Sequence, residues 1–369
     1  MRVVVLALAL TLLTLPATVQ AAPVIDVYTI GVGDDLFSAF GHAAICVTGE
    51  RNPRGRCYNY GTADFTTPVP LTWNFIRGRA LFWVSTTDTA HMLRYYAAVG
   101  RAVWRQTLAL TPAEATSVAN ALEASAQEGS KYYRYHHFND NCTTRIRDVV
   151  DRATGGRLSR DTTDAKKTFR QWAREGFAGD TGMLMVTDLL LGRPADRRTN
   201  SWQAMFLPSQ LRVEVAKRFD APPITIVPAL PRPPPGALWL GSAAFLAIGL
   251  VLALAILVHL RSGRAVTAFV LGLVGIVLWL LAALSTFPEL RHNELLLSFW
   301  PTDVALPWLG RRYLRARLVA LAIVIVAHLG LLVQPLAPSL MALLPLMALR
   351  FSQSAAPRSA QSATHDAPG

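Results

Sequence analysis

Two long apolar runs, GALWLGSAAFLAIGLVLALAILVHL and AVTAFVLGLVGIVLWLLAALSTF, set the strongest constraint on this chain. Each is longer than the roughly 20 helical residues that cross a bilayer. Only RSGR lies between them, so a tight helical hairpin in lipid is expected. The chain is 52% hydrophobic and 16% charged, whereas soluble domains carry about a quarter charged residues. A single large cytosolic enzyme does not fit.

Three weaker runs follow. ELLLSFWPTDVALPWLG carries Asp303 and two prolines and reads as a broken or tilted span. LVALAIVIVAHLGLLV is clear, and PSLMALLPLMAL is short. Residues 237–351 are therefore expected to be an all-α membrane domain of about five helices, with four and a re-entrant 294–310 as the alternative. Five crossings put RSGR, RRYLRAR and the tail from Arg350 on one side, and PELRHNE and QPLAP on the other, the bias of the positive-inside rule. These links hold many of the 36 Lys+Arg that outnumber 24 Asp+Glu. No nucleic-acid motif accompanies them, so no nucleic-acid partner is expected. The Ser/Ala/Pro-rich residues 352–369 read as a disordered cytoplasmic tail.

At the other end, Arg2, the run VVVLALALTLLTL and the small-residue exit Val19-Gln20-Ala21-Ala22 match a secretory signal over residues 1–21. An uncleaved anchor is the alternative. Residues 22–220 are then an exported α+β domain, and 221–236 (APPITIVPALPRPPPG) a semi-rigid proline-rich spacer. VIDVYTI, HAAICV and CYNYG read as strands, and ALFWVST as a strand or interfacial segment. Thr111-Pro112-Ala113-Glu114 opens a helix running to about Gly129. Asn141 or Asp140 caps a second helix, CTTRIRDVVDRA, which stops at Gly155-Gly156. Cys46 and Cys57 flank the polar loop GERNPRG, so in an oxidising compartment they can face each other across a hairpin and join. Cys142 is left over.

A thiol in the first turn of a helix meets the positive end of the dipole and unpaired N–H groups, which favour the thiolate. Those same N–H groups are placed to stabilise an oxyanion. Cys142 is therefore the candidate nucleophile, with a buried inert cysteine as the alternative. His42, in Phe40-Gly41-His42, is the best-placed base. His136, His137, Asp140 and Cys142 match no tetrahedral metal spacing, so no metal is assigned. Leu71–Trp83 mixes Trp73, Arg77 and Arg79 as a surface among lipid headgroups would, although a core strand with a basic loop reads equally well. His292, Asn293 and Glu294 follow the second span and are candidates to meet a headgroup or amine, with polar residues that merely end a helix as the alternative.

The segments GDDLFSAFGHAAICV, YNYGTADF and YYRYHHFNDNCTTRIRDVVD resemble the periplasmic domain of the Lnb-type bacterial lipoprotein N-acyltransferases. STFPELRHNELLLSFWPTDVALPWL is similar to the segment between the second and third spans of the Lnb transmembrane domain. The order of histidine and then Asn-Cys also resembles the permuted papain-like fold of NlpC/P60 and lecithin:retinol acyltransferase relatives. The resemblance implies Cys142 as nucleophile and His42 as general base and acid. It also implies a third polar group on the next strand, where Asn59 stands, with Asp64 as its rival. Asn141 is then a cap, and Asp35 part of a turn near His42.

The implied reaction takes an acyl chain from a phospholipid donor to the α-amine of an apolipoprotein acceptor, without cofactor, at the periplasmic face of the bacterial inner membrane. A papain-like hydrolase acting on peptidoglycan or phospholipid, and a non-enzymatic membrane adaptor, are the rival readings.

Overall fold

Alternating apolar residues in three early segments pair as consecutive antiparallel strands: β1 (Val24–Ile30), β2 (His42–Gly49) and β3 (Asn52–Thr62). The computed structural model describes residues 21–35, 38–232 and 234–355. Residues 1–20 of the expected leader and the tail from 356 onward lie outside them. The chain continues through α1 (Pro68–Ile76), β4 (Leu81–Asp88), α2 (Thr89–Ala98), β5 (Val103–Thr107), α3 (Pro112–Ser125), β6 (Tyr132–Arg134) and α4 (Cys142–Ala153). Then come β7 (Asp164–Thr168), α5 (Phe169–Gly176), α6 (Thr181–Leu190), β8 (Arg198–Asn200), α7 (Ser201–Ala204), α8 (Pro208–Phe219) and β9 (Ile224–Val227).

Seven strands form one antiparallel sheet in the order β6-β4-β3-β2-β1-β5-β9. β9 comes from the proline-rich segment and pairs Val227 with Val103 of β5, so that segment is more than a spacer. Alternation gives the sheet two buried faces. On one, Val27, Ile45 and Tyr58 meet Ile146 and Val150 of α4, Leu122 of α3 and Val215 of α8. On the other, Tyr28, Ala44 and the Cys46–Cys57 disulfide meet Met92 and Tyr96 of α2. The two cysteines stand directly opposite each other in the β2–β3 register.

The C-terminal half holds α9 (Trp239–Val258), α10 (Leu260–Leu284), α11 (Pro288–Arg291), α12 (Arg311–Ala327) and α13 (Ala337–Ala355). α9 and α10 are long and apolar enough to cross a membrane. The break between them falls at His259, and RSGR lies inside α10. There are four long helices here rather than five. The run expected as a broken or tilted span forms two 3-10 turns, Glu294–Leu297 and Pro301–Ala305. That backbone lies against α10 because Gly272 and Gly275 carry no side chain: a Cβ there would stand 2.5 Å from Val304 N and 2.7 Å from Trp300 C.

Asp303, fully buried, is neutralised by Arg317 of α12 through two N–H bonds of 2.8 Å. Arg317 thus leaves the basic link RRYLRAR, where positive-inside logic placed it, to pair inside the helical core. α13 continues to Ala355, four residues into the stretch read as a tail.

α6 joins the two halves. Met185, Leu189 and Leu190 pack into the helical core, while the side-chain amides of Asn293 and Gln334 donate to the carbonyls of Leu189 and Leu191 at 2.6 and 3.0 Å.

Candidate active site

Helix α4 begins at Cys142 because Asn141 caps it. The Asn141 carboxamide oxygen accepts the N–H groups of Thr143 and Thr144, each at 2.9 Å. Its NH₂ donates to the carbonyls of His137 and Phe206 at 2.7 and 3.0 Å. Asp140 does not share the cap; its carboxylate pairs with Arg145. Four bonds from one residue that is only 4% exposed fix the position of Cys142. They also correct one expectation: the Thr143 and Thr144 amides are occupied and do not await an oxyanion. Among the described bonds none uses the Cys142 N–H itself.

The thiol lies at the start of β2. Burial pushes it up, but the His42 charge, a hydrogen bond with the His42 side chain, the Thr143 hydroxyl and the Ala43 N–H outweigh burial, and the thiol is held below its ordinary value. Gly41 enters β2 at φ +84°, where a Cβ would stand 2.5 Å from Ile30 O, so only glycine brings the strand in at this point. Gly61, at φ +86°, leaves the space beside Cys142: its missing Cβ would be 3.4 Å from the Cys142 Cβ and 3.9 Å from the Tyr133 hydroxyl.

The remaining residues singled out in the sequence separate into groups. Asn59 lies two positions from Cys57 and opposite Ser85, so it shares the α2 face of the sheet with His42. No hydrogen bond between its amide and His42 is among the described contacts. Asp64 accepts from the Thr66 N–H and hydroxyl at 3.0 and 2.5 Å and shapes the turn before α1; it does not orient the imidazole. Asp35 bonds Ser38 in a turn.

Leu71–Trp83 is neither a flat surface nor one strand but the end of α1, a turn and the start of β4. Trp73 is half exposed, with the Arg77 guanidinium 5.6 Å above its ring. The Arg77 carbonyl accepts from Thr286 at 3.2 Å, which joins α1 to the end of α10; Arg79 is exposed. His292 is exposed and is held through its carbonyl by the Arg193 N–H. Asn293 and Glu294 are absorbed by structure, with Glu294 accepting the amides of Val333 and Gln334, both at 3.0 Å. None of these three is among the described contacts of Cys142.

What the sequence did not single out is an aromatic wall ahead of the cysteine. Tyr135 stacks on Phe82 at 4.3 Å, and Phe75 lies 5.9 Å from His137 and 5.8 Å from Phe287 of the helical half. Burial raises the Tyr133 and Tyr135 hydroxyls well above their ordinary value, so both remain protonated. Glu289, also from the helical half, reaches His136 in this wall. The alternation in YYRY was the available signal for the tyrosines; nothing local marks Phe287 or Glu289.

A lowered thiol at a capped helix N-terminus, paired with a histidine on a neighbouring strand, defines a thiol-centred mixed α+β domain able to attack a carbonyl carbon. Residues 15–175 match the family model of the Lnb N-terminal periplasmic domain, a match consistent with the Lnb type. The match includes His42, Asn59 and Cys142 and ends before the helical half. No curated protein and no solved structure matches the chain.

Proposed function

We propose that the protein is a cysteine-dependent lipoprotein N-acyltransferase of the inner membrane, its catalytic domain in the periplasm on a permuted papain-like scaffold. The observation that carries this reading is the Cys142 thiol, held below its ordinary value chiefly by His42, in a chain with two helices long and apolar enough to cross a membrane.

In the first step the Cys142 thiolate attacks an ester carbonyl of a phospholipid. A C–S bond forms, the C–O bond breaks, and the imidazolium of His42 protonates the departing lysophospholipid oxygen. Cys142 then carries a thioester. In the second step the α-amine of a diacylglyceryl-cysteine attacks that carbonyl. The C–N bond forms, His42 takes the amine proton, and the thiolate leaves. Thioester to amide is downhill, so no nucleotide is required. The membrane helices supply proximity, since donor and acceptor share the bilayer. Asn59, on the face of His42, is the third polar group in this scheme, and Trp73, Arg77, Arg79 and His292 form the rim that meets headgroups.

Expression of wild type and Cys142→Ala in cells depleted of their own N-acyltransferase tests the proposal through the mass of a lipoprotein N-terminal peptide. An added amide-linked chain with wild type alone is expected. A chain added by both proteins removes Cys142 from the mechanism; a chain added by neither, with both inserted in the membrane, removes the transferase reading. Alkylation of Cys142 by iodoacetamide gives a second check. The thiolate is expected at lower pH than for an ordinary cysteine, and His42→Ala is expected to move the alkylation profile to higher pH.

A further inference from the structure

Where the turn after α10 meets the hairpin ahead of Cys142, a buried carboxylate stands without a counter-charge. Glu289 is 9% exposed, and its Oε2 has no hydrogen-bond partner. Among the described residues, the group within ion-pair distance is His136, whose Nε2 lies 3.7 Å away. His136 does not neutralise it. Its Nδ1 accepts the backbone N–H groups of Phe138 and Asn139 at 3.2 and 3.3 Å, and an accepting ring nitrogen carries no proton, so the imidazole is neutral. His137 stacks on His136 with ring centroids 4.9 Å apart, and both its ring nitrogens are buried without partners. Native interiors rarely leave such groups unmatched.

Aromatic rings close the site. Phe287 lies 4.8 Å from the His136 ring and 5.5 Å from that of His137, with Phe75 beyond it. A carboxylate lacking its cation, the unpartnered ring nitrogens of His137, one of which is an acceptor in the neutral imidazole, and aromatic walls together suit a small organic cation.

We propose that Glu289 and His137, with the His136 ring beside them, form a subsite for a primary ammonium group at the hairpin ahead of Cys142. Such a group brings the missing positive charge and three N–H donors. Two sources carry it: the ethanolamine headgroup of a donor phospholipid and the α-amine of the acceptor cysteine. The place of the subsite in a reaction rests on the acyl-transfer reading; its ligand rests on Glu289.

The test measures binding to the full chain bearing Cys142→Ala, in detergent, by native mass spectrometry. The probes are phosphatidylethanolamine against phosphatidylcholine, and a diacylglyceryl-cysteine peptide against its N-acetylated form. One primary-amine probe is expected to bind about tenfold more tightly than its masked counterpart, the scale of a charged hydrogen bond, and Glu289→Gln is expected to remove that preference. The pair that loses discrimination names the source.

No preference in the parent, or one that survives Glu289→Gln, overturns the proposal. Thermal unfolding confirms that the variant is folded. Where it is not, His137→Phe, which keeps a ring and removes the acceptor nitrogen, decides: unchanged discrimination there overturns the subsite. Absence of an acyl chain on wild-type Cys142 counts against the transferase and leaves this binding result standing.

Discussion

Replacing Asn141 by alanine removes a side chain that both starts α4 and ties it to two other segments. Loss of the cap to Thr143 and Thr144 costs about 1 kcal/mol. The carbonyls of His137 and Phe206 lose their donor in a buried setting, at about 1–3 kcal/mol each. The total is about 3–7 kcal/mol, and with roughly 2–4 °C per kcal/mol for a domain of this size the midpoint is expected to fall by about 6–28 °C. Asn141→Asp separates the contributions. Aspartate keeps the cap acceptor but loses both donors and sets a charge against two carbonyls, so it is expected to be no more stable than alanine despite being a good N-cap. Thermal unfolding of the purified full chain, followed together with Cys142 alkylation, reads both effects. A loss below about 1 kcal/mol for alanine, or wild-type stability for aspartate, would refute the claim that Asn141 anchors the start of α4 through four bonds.

Two other perturbations follow from buried charge. Burial holds His137 down to about 3, so the unfolded chain takes up a proton near its ordinary value of about 6.5 that the folded chain refuses. Stability is therefore present above that value and is lost as the pH falls, by about 2 kcal/mol between pH 7 and 5. A His137→Leu variant should flatten the slope of denaturant midpoint against pH, and an unchanged slope would contradict the assignment. In the helical half, Arg317→Met leaves Asp303 buried and unpaired and is expected to cost about 3–5 kcal/mol, most of it recovered by adding Asp303→Leu. A double variant that melts no higher than the single one would show that the pair is not the source of the loss.

The local devices were legible in the residues. Thr111 and Glu114 form the capping box their spacing announced, Asn141 caps α4, and Cys46 meets Cys57 across the hairpin that GERNPRG turns. These rest on contacts a few residues apart, which sequence spacing encodes directly. The segment expected as a broken or tilted span, or as re-entrant, folds as two 3-10 turns for the opposite reason. Its polar residue is matched by Arg317, 14 positions later, and its backbone is accommodated by two glycines of α10. No local pattern carries that pairing.

By itself the sequence determined a first-turn cysteine in a capped helix, a histidine entering a strand behind a glycine, and two bilayer-length apolar runs. Tertiary structure alone decided that His42 and the Ala43 amide reach the thiol 100 residues away in sequence and lower it. It also brought Phe287 and Glu289 of the helical half against the hairpin ahead of the cysteine. The physical reason is range: caps and hairpins are set by neighbours along the chain. The charge state of a buried group is set by whatever the packed fold places around it, however distant in sequence.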